Sequence, residues 1–141
     1  MPISKKKILQ HLENEVYCRL GVSPIHGIGV FALRDIPKGV LPLKSYLKFK
    51  EIDIRKDEIK DLPSGVREQL DVFCYYDKKK ISIPTIGMNS FDMSIYLNHS
   101  KKPNLRFKRN GSLETIQAVA KGDELFIDYD ISFGEKHYFD Q

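Results

Sequence analysis

Tyr96-Leu97-Asn98-His99-Ser100-Lys101-Lys102-Pro103-Asn104, followed by Gly122-Asp123-Glu124-Leu125-Phe126-Ile127-Asp128-Tyr129, is the stretch that decides how this chain is read. The first segment puts an amide, an imidazole and a hydroxyl side by side ahead of a proline. The second is a glycine turn leading into an apolar strand that ends on a tyrosine. Near the front stands a third piece, Gly27-Ile28-Gly29-Val30-Phe31-Ala32. Each has an ordinary reading by itself. A G-x-G between strands is a turn needing positive φ, and it is not a dinucleotide fingerprint, because the third glycine and the following helix are missing. Asn98 and His99 could cap a polar loop. Asn98-His99-Ser100 also matches a glycosylation sequon, which has meaning only on a secretory route.

The 141 residues fit one domain able to bury a core without staples. Hydrophobic content of 41% and charged content of 30% are those of an ordinary globular protein. The basic start around Lys5-Lys6-Lys7 is too short and polar for a secretory signal, and no apolar run approaches spanning length, so no membrane role and an intracellular location are expected: cytoplasmic, or nuclear in a eukaryote. Cys18 and Cys74 lie in apolar stretches and read as buried free thiols. Four histidines without paired spacing and no Cys-x-x-Cys give no metal site. A net charge of +4 is too small to imply nucleic-acid binding, and Lys5–Lys7 and Lys78–Lys80 read as solvated surface.

Along the chain, residues 4–15 predict a short amphipathic helix with Ile8, Leu9 and Leu12 on one side. Val16-Tyr17-Cys18, Val30 to Leu33 and Val40-Leu41 predict short strands. Arg55 to Leu62 predicts a charged helix stopped by Pro63, and Val66, Leu70 and Phe73 predict a second helix over Gly65 to Tyr75. Ile81-Ser82-Ile83 predicts a strand. Leu105 to Phe107 and Leu113 to Val119 predict a hairpin across Asn110-Gly111, and Glu124 to Tyr129 the last strand. The sum is a mainly β, α+β domain.

Taken together and in this order, the three pieces resemble the signature motifs of SET-domain protein-lysine methyltransferases: Gly27 to Ala32 the first motif, Asn98-His99-Ser100 with Pro103-Asn104 the N-H-S-x-x-P-N pattern, and Glu124 to Tyr129 the E-L-x-x-D-Y motif. The resemblance implies a β-clip-like fold of several small sheets with a C-terminal pseudo-knot. It divides the chain into an N-terminal helical extension (1–15), a SET domain (16–130, with a variable insert at about 47–88) and a C-terminal flank (131–141). It further implies S-adenosylmethionine as cofactor, contacted by the His26-Gly27-Ile28-Gly29 backbone, by the Asn98 side chain through the donor's ammonium, by the His99 backbone through adenine, and by Tyr129, the catalytic residue. Tyr46, Phe107, Ile127 and Tyr138 are the implied substrate-channel residues, although Lys44, Ser45 and Lys48 depart from the motif around Tyr46. Many relatives carry a zinc-binding cysteine directly after N-H-S and a cysteine-rich tail. Here Lys101 takes that place and no cysteine follows Tyr129, so both halves of that site are missing together. Phe133, Tyr138 and Phe139 could instead fold back as an aromatic wall, against the plainer reading of a loosely packed terminus.

The implied partner is a protein presenting a lysine, histone-like or otherwise basic, with recognition from the insert and the tail. With so short a C-terminal flank, a second copy could close the cofactor cleft, so a homodimer is possible. Two rivals stand beside this reading. One is a SET fold that binds a peptide without turnover, against which the retention of Asn98, His99 and Tyr129 weighs. The other is a basic nucleic-acid-binding β domain, for which interleaved basic and aromatic strands are missing.

Overall fold

Val30, Ala32, Leu125 and Ile127 are buried while Phe31 and Phe126 between them are half-exposed, the two-residue alternation of strands with one face in a core. In the computed structural model, which describes residues 4–46, 50–90 and 92–130, the elements are α1 (Lys5–Asn14), β1 (Cys18–Val22), β2 (Ile28–Ala32), β3 (Glu51–Arg55), α2 (Ser64–Phe73), β4 (Lys80–Pro84), β5 (Asn98–His99), β6 (Leu105–Phe107), β7 (Leu113–Thr115) and β8 (Glu124–Ile127). Single 3-10 turns lie at Lys56–Glu58 and Met93–Tyr96. None of the described helices is long and apolar enough to cross a membrane.

Three small sheets result. The largest has the order β1-β2-β8-β5, with two-stranded pairs β3-β4 and β6-β7 beside it. The last strand is therefore an interior one. It runs antiparallel to β2, with Val30 opposite Leu125, and parallel to β5, with Asn98 opposite Phe126 and His99 opposite Ile127. This insertion of β8 between two earlier strands welds the late tyrosine segment to the Asn-His segment. The main core holds Val30, Ile36, Leu97, Leu105, Leu125 and Ile127, with Phe107 and Tyr129 packed against it. Each such aliphatic side chain contributes about 1.5–3 kcal/mol on full burial. A separate smaller cluster, Leu70, Cys74 and Ile81 with Ile54, Ile59 and Met88 around it, serves the middle of the chain.

Both cysteines are buried and free. Burial pushes the Cys18 thiol up to about 12 and the Cys74 thiol to about 11, and the latter donates to the Met88 sulfur at 3.7 Å.

Several local expectations change. The helix predicted over Arg55 to Leu62 is the end of strand β3 followed by one 3-10 turn, because Ile52 and Ile54 pair with Ile83 and Ile81 across the β3-β4 ladder. Val40-Leu41 forms no strand. Gly39 (φ +85°) and the turn at Pro42 break the run, yet Val40 still bonds Thr115 through both its N–H and its carbonyl. Leu113 to Val119 keeps strand geometry only to Thr115, after which Val119 makes one isolated bridge to Ile36. Helix α1 forms, capped by the Ser4 hydroxyl at the Lys7 N–H, but Leu9 and Leu12 stay exposed and only Ile8 on that side is half-buried. Polar contacts tie its end down instead: Arg34 to the Glu13 carbonyl at 2.8 Å, and Lys44 and Tyr46 to the Glu15 carboxylate at 2.8 and 2.7 Å.

Candidate active site

At the start of β8 the Glu124 carboxylate is buried, and among the described residues no cation pairs with it. Its oxygens are satisfied by neutral donors: the Ser23 hydroxyl at 2.8 and 3.0 Å, and the Asn98 side-chain amide at 2.8 Å. The second N–H of that amide goes to the His26 carbonyl at 3.0 Å. Ser23 in turn accepts from the Ile25 N–H at 3.0 Å. One network therefore joins the turn at residues 23–26, strand β5 and strand β8. It also fixes the chemistry of Asn98. Both acceptors that it meets, a carboxylate and a carbonyl, can only receive, so the amide nitrogen must face them and the carbonyl oxygen Oδ1 is what remains for a ligand.

The glycine pair has two separate explanations. Gly27 sits at φ +51° in the exposed turn, with open space around it. Gly29 lies inside β2, and a Cβ there would stand 2.3 Å from a Glu124 oxygen and 3.1 Å from the Asn98 amide nitrogen. Its missing side chain is room for the carboxylate network. His26, Gly27 and Ile28 are exposed beside it, with the His26 carbonyl taken by Asn98 and the Gly27 carbonyl by the Ser23 N–H.

Just past β8, the Tyr129 hydroxyl donates to the Leu97 carbonyl at 2.5 Å, one residue before Asn98. Burial raises the phenol above its ordinary value, so it keeps its proton at neutral pH. The Tyr129 backbone N–H donates to His99 Nδ1 at 3.0 Å, and the two rings lie 5.2 Å apart. Because Nδ1 accepts that N–H it carries no proton, and the 3.8 Å approach of an Asp128 oxygen to it is not an ion pair. His99, Asp128 and Asp130 bring three ligating atoms within 4.8 Å of one another, but Lys101 reaches both carboxylates, lying 3.5 Å from Asp128 and in contact with Asp130. The lysine after Asn-His-Ser thus ties that loop to the residues around Tyr129.

Asn104, which the sequence offered only as the end of a pattern, acts as a piece of strand. Its side chain donates to the Glu124 carbonyl at 3.0 Å and accepts from the Phe126 N–H at 2.8 Å, edging β8 from within the core.

The remaining candidates divide. Ile127 is buried in the same cluster against which Phe107 and Tyr129 pack, so these three share one apolar surround. Tyr46 sits against α1, with its hydroxyl on Glu15 and its ring edge-on to His11. Tyr138, with Phe133 and Phe139, lies outside the described residues, as does Lys48. Two open grooves lie elsewhere among the described residues, one between α2 and β4 beside Lys60, Arg67 and Asp71, the other between α1 and the Pro42–Tyr46 segment.

Comparison with known proteins gives a match of the SET domain profile to residues 27–130, most of the chain. The chain belongs to the SET-domain family. Among solved structures, this SET domain is similar to the humanized mutant of the Chaetomium thermophilum Polycomb Repressive Complex 2 in an inhibitor-bound form, at 21% identity and TM-score 0.51. That match covers 92% of this chain and spans only 18% of the other. A candidate histone methyltransferase of Plasmodium falciparum also matches, at 21% identity and TM-score 0.48, over 81% of this chain and 93% of its own. No curated protein matches.

SET-domain methyltransferases as a family use S-adenosylmethionine, and the residues present fit such a ligand on their own chemistry. Asn98 and Tyr129 have their donors committed and offer acceptors, which suits a cation and repels an anion. Two residues of this candidate site are not singled out by the sequence. Ser23 carries no motif signal at all, and Glu124 opens the E-L-x-x-D-Y motif without a task of its own.

Proposed function

We propose that this chain transfers a methyl group from S-adenosylmethionine to the ε-amine of a lysine in a protein substrate. The observation that supports it is the pair of acceptors brought together on β5 and after β8: Asn98, whose amide hydrogens are both taken, and Tyr129, whose hydroxyl hydrogen is taken. S-adenosylmethionine, when bound, supplies an electrophilic methyl group on a positive sulfonium.

In this reading Asn98 Oδ1 receives the donor's amino group, while the exposed backbone of His26, Gly27 and Ile28, with Gly29 behind them, and the His99 backbone hold the rest. The Tyr129 oxygen turns lone pairs, not a proton, to the electron-poor methyl group. A free lysine with a pKa of about 10.4 is less than about one per cent neutral at pH 7. The apolar surround of Phe107 and Ile127 favours its uncharged form through desolvation. No side chain need act as base: His99 Nδ1 is committed to the Tyr129 N–H, and Glu124 to Ser23 and Asn98. The proton leaves with water, and the remainder of the rate comes from alignment, which can lower a barrier by several kcal/mol.

Ile127 and Phe107 bring no hydroxyl to hold a blocking water, so the reading includes addition of more than one methyl; mass spectrometry finding monomethyl-lysine alone would remove that part. The substrate is a basic protein inside the cell, met by the middle insert.

Incubation with methyl-tritiated donor and whole-cell lysate tests the proposal. The wild type labels protein on lysine and Tyr129→Phe does not. Label that never reaches lysine, or that is equal in the two proteins, overturns it.

A further inference from the structure

A buried carboxylate without a cation is expensive, and neutral hydrogen bonds offset only part of that cost. Glu124 is such a group. It is 9% exposed, its neighbours Ser23 and Asn98 are neutral donors, and no Lys, Arg or His among the described residues pairs with it. Gly29 is kept free of a side chain by the same carboxylate. Two elements are thus arranged around a carboxylate that no cation among the described residues pairs with.

The missing cation has an evident place. Asn98 lies between Glu124 and its own outward carbonyl oxygen, so whatever bonds Oδ1 is one amide group away from the carboxylate. The amide transmits both orientation and sign: its N–H end is held by Glu124 and the His26 carbonyl, and its oxygen end is polarised by that negative pull on the nitrogen.

We propose that Glu124 is a positioning residue whose buried charge fixes Asn98 with Oδ1 outward and makes the site select a methyl donor that bears an ammonium group. Ser23 is the second arm of the device. Its hydroxyl accepts from the Ile25 N–H and donates to Glu124, so the turn that flanks the donor is locked to the same carboxylate. This inference rests on the donor site proposed above and adds the residue that governs which donor is held.

The test is calorimetric, on the whole chain, with two ligands: S-adenosylhomocysteine, and its analogue with hydrogen in place of the amino group. Glu124→Gln keeps the shape and an acceptor for Asn98 but removes the charge. We expect it to weaken S-adenosylhomocysteine by roughly tenfold or more, the scale of a lost charge-assisted contact, and to change the deaminated analogue by less than about twofold. Ser23→Ala, which keeps the charge but frees one side of the carboxylate, is the second variant should the first not fold. Its loss is smaller and again confined to the amino-bearing ligand. Equal losses for the two ligands, or no loss in a folded variant, overturn the role of Glu124 while leaving the donor site standing. A wild type that binds neither ligand overturns the donor site itself, and this inference with it.

Discussion

Tyr129 donates its hydroxyl hydrogen to the carbonyl of Leu97 at 2.5 Å, and Leu97 is the residue before Asn98. The tyrosine that closes the last strand segment is therefore bonded to the backbone of the segment that carries the Asn98 amide. With its hydrogen committed there, the phenol can meet any further group only as an acceptor. Tyr129→Phe removes that oxygen and one hydrogen bond whose net contribution to stability is about 1 kcal/mol. The variant should melt within a few degrees of the wild type and bind S-adenosylhomocysteine, yet lose on the order of a hundredfold or more in methyl transfer, the scale of losing one preorganised polar group at a transition state. Retained activity would show that the hydroxyl does not face the reacting centre.

Gly29→Ala sets a methyl group 2.3 Å from a Glu124 oxygen inside a strand that cannot shift without breaking its pairing to β1 and β8. Overpacking of this kind costs roughly 1–3 kcal/mol. Urea unfolding should register the loss, and donor binding should fall with it because the carboxylate displaced is the one that holds Asn98. Gly27→Ala, at φ +51° with open space around it, should cost less and spare the network.

Asn104→Ala leaves two groups at the edge of β8, the Glu124 carbonyl and the Phe126 N–H, without their partners. Each buried orphan costs about 1–3 kcal/mol, so the variant should be among the most destabilised polar substitutions in the chain. Asn104→Asp keeps the acceptor for Phe126 but turns a carboxylate oxygen toward the Glu124 carbonyl, and should be no better. A midpoint in urea unchanged from wild type would contradict the assignment.

Glu15 titrates low. The Lys44 ammonium and then the Tyr46 hydroxyl hold its carboxyl at about 2, against an ordinary value of 4.5. A depressed carboxylate stabilises the fold above its ordinary value, and that stabilisation is lost as pH falls from 4.5 through about 2. The contacts of Glu15 at the end of α1 should therefore persist in acid until the pH approaches 2. Lys44→Ala should move the Glu15 midpoint upward in an NMR titration, and an unmoved midpoint would show that the ion pair does not form in solution.

Much of the candidate site is legible in the chain because its residues are local in sequence. Asn98 and His99 are adjacent, and Tyr129 ends an apolar run whose strand character is plain. Ser23 was illegible for the opposite reason: its partner Glu124 lies 101 positions away, and nothing in Ser23-Pro24-Ile25 indicates so distant a bond. Gly29 was read with Gly27 as one turn, but only Gly27 has positive φ; what excludes a side chain at Gly29 comes from another strand. Strand β3 was hidden because its two isoleucines sit among charges, and their alternation acquires meaning only once Ile81 and Ile83 are placed opposite them. Tyr46 shows the same limit in reverse. A motif position suggests the channel, while the fold gives its hydroxyl to Glu15, just past the end of a helix that no motif includes.

The central claim is that Asn98 and Tyr129 serve one ligand. A crystal structure of this chain with S-adenosylhomocysteine measures it most directly. The account predicts the ligand's amino group within hydrogen-bond distance of Asn98 Oδ1, with its sulfur turned toward the Tyr129 hydroxyl. A ligand bound in either of the outer grooves, or one whose sulfur faces away from Tyr129, would contradict it.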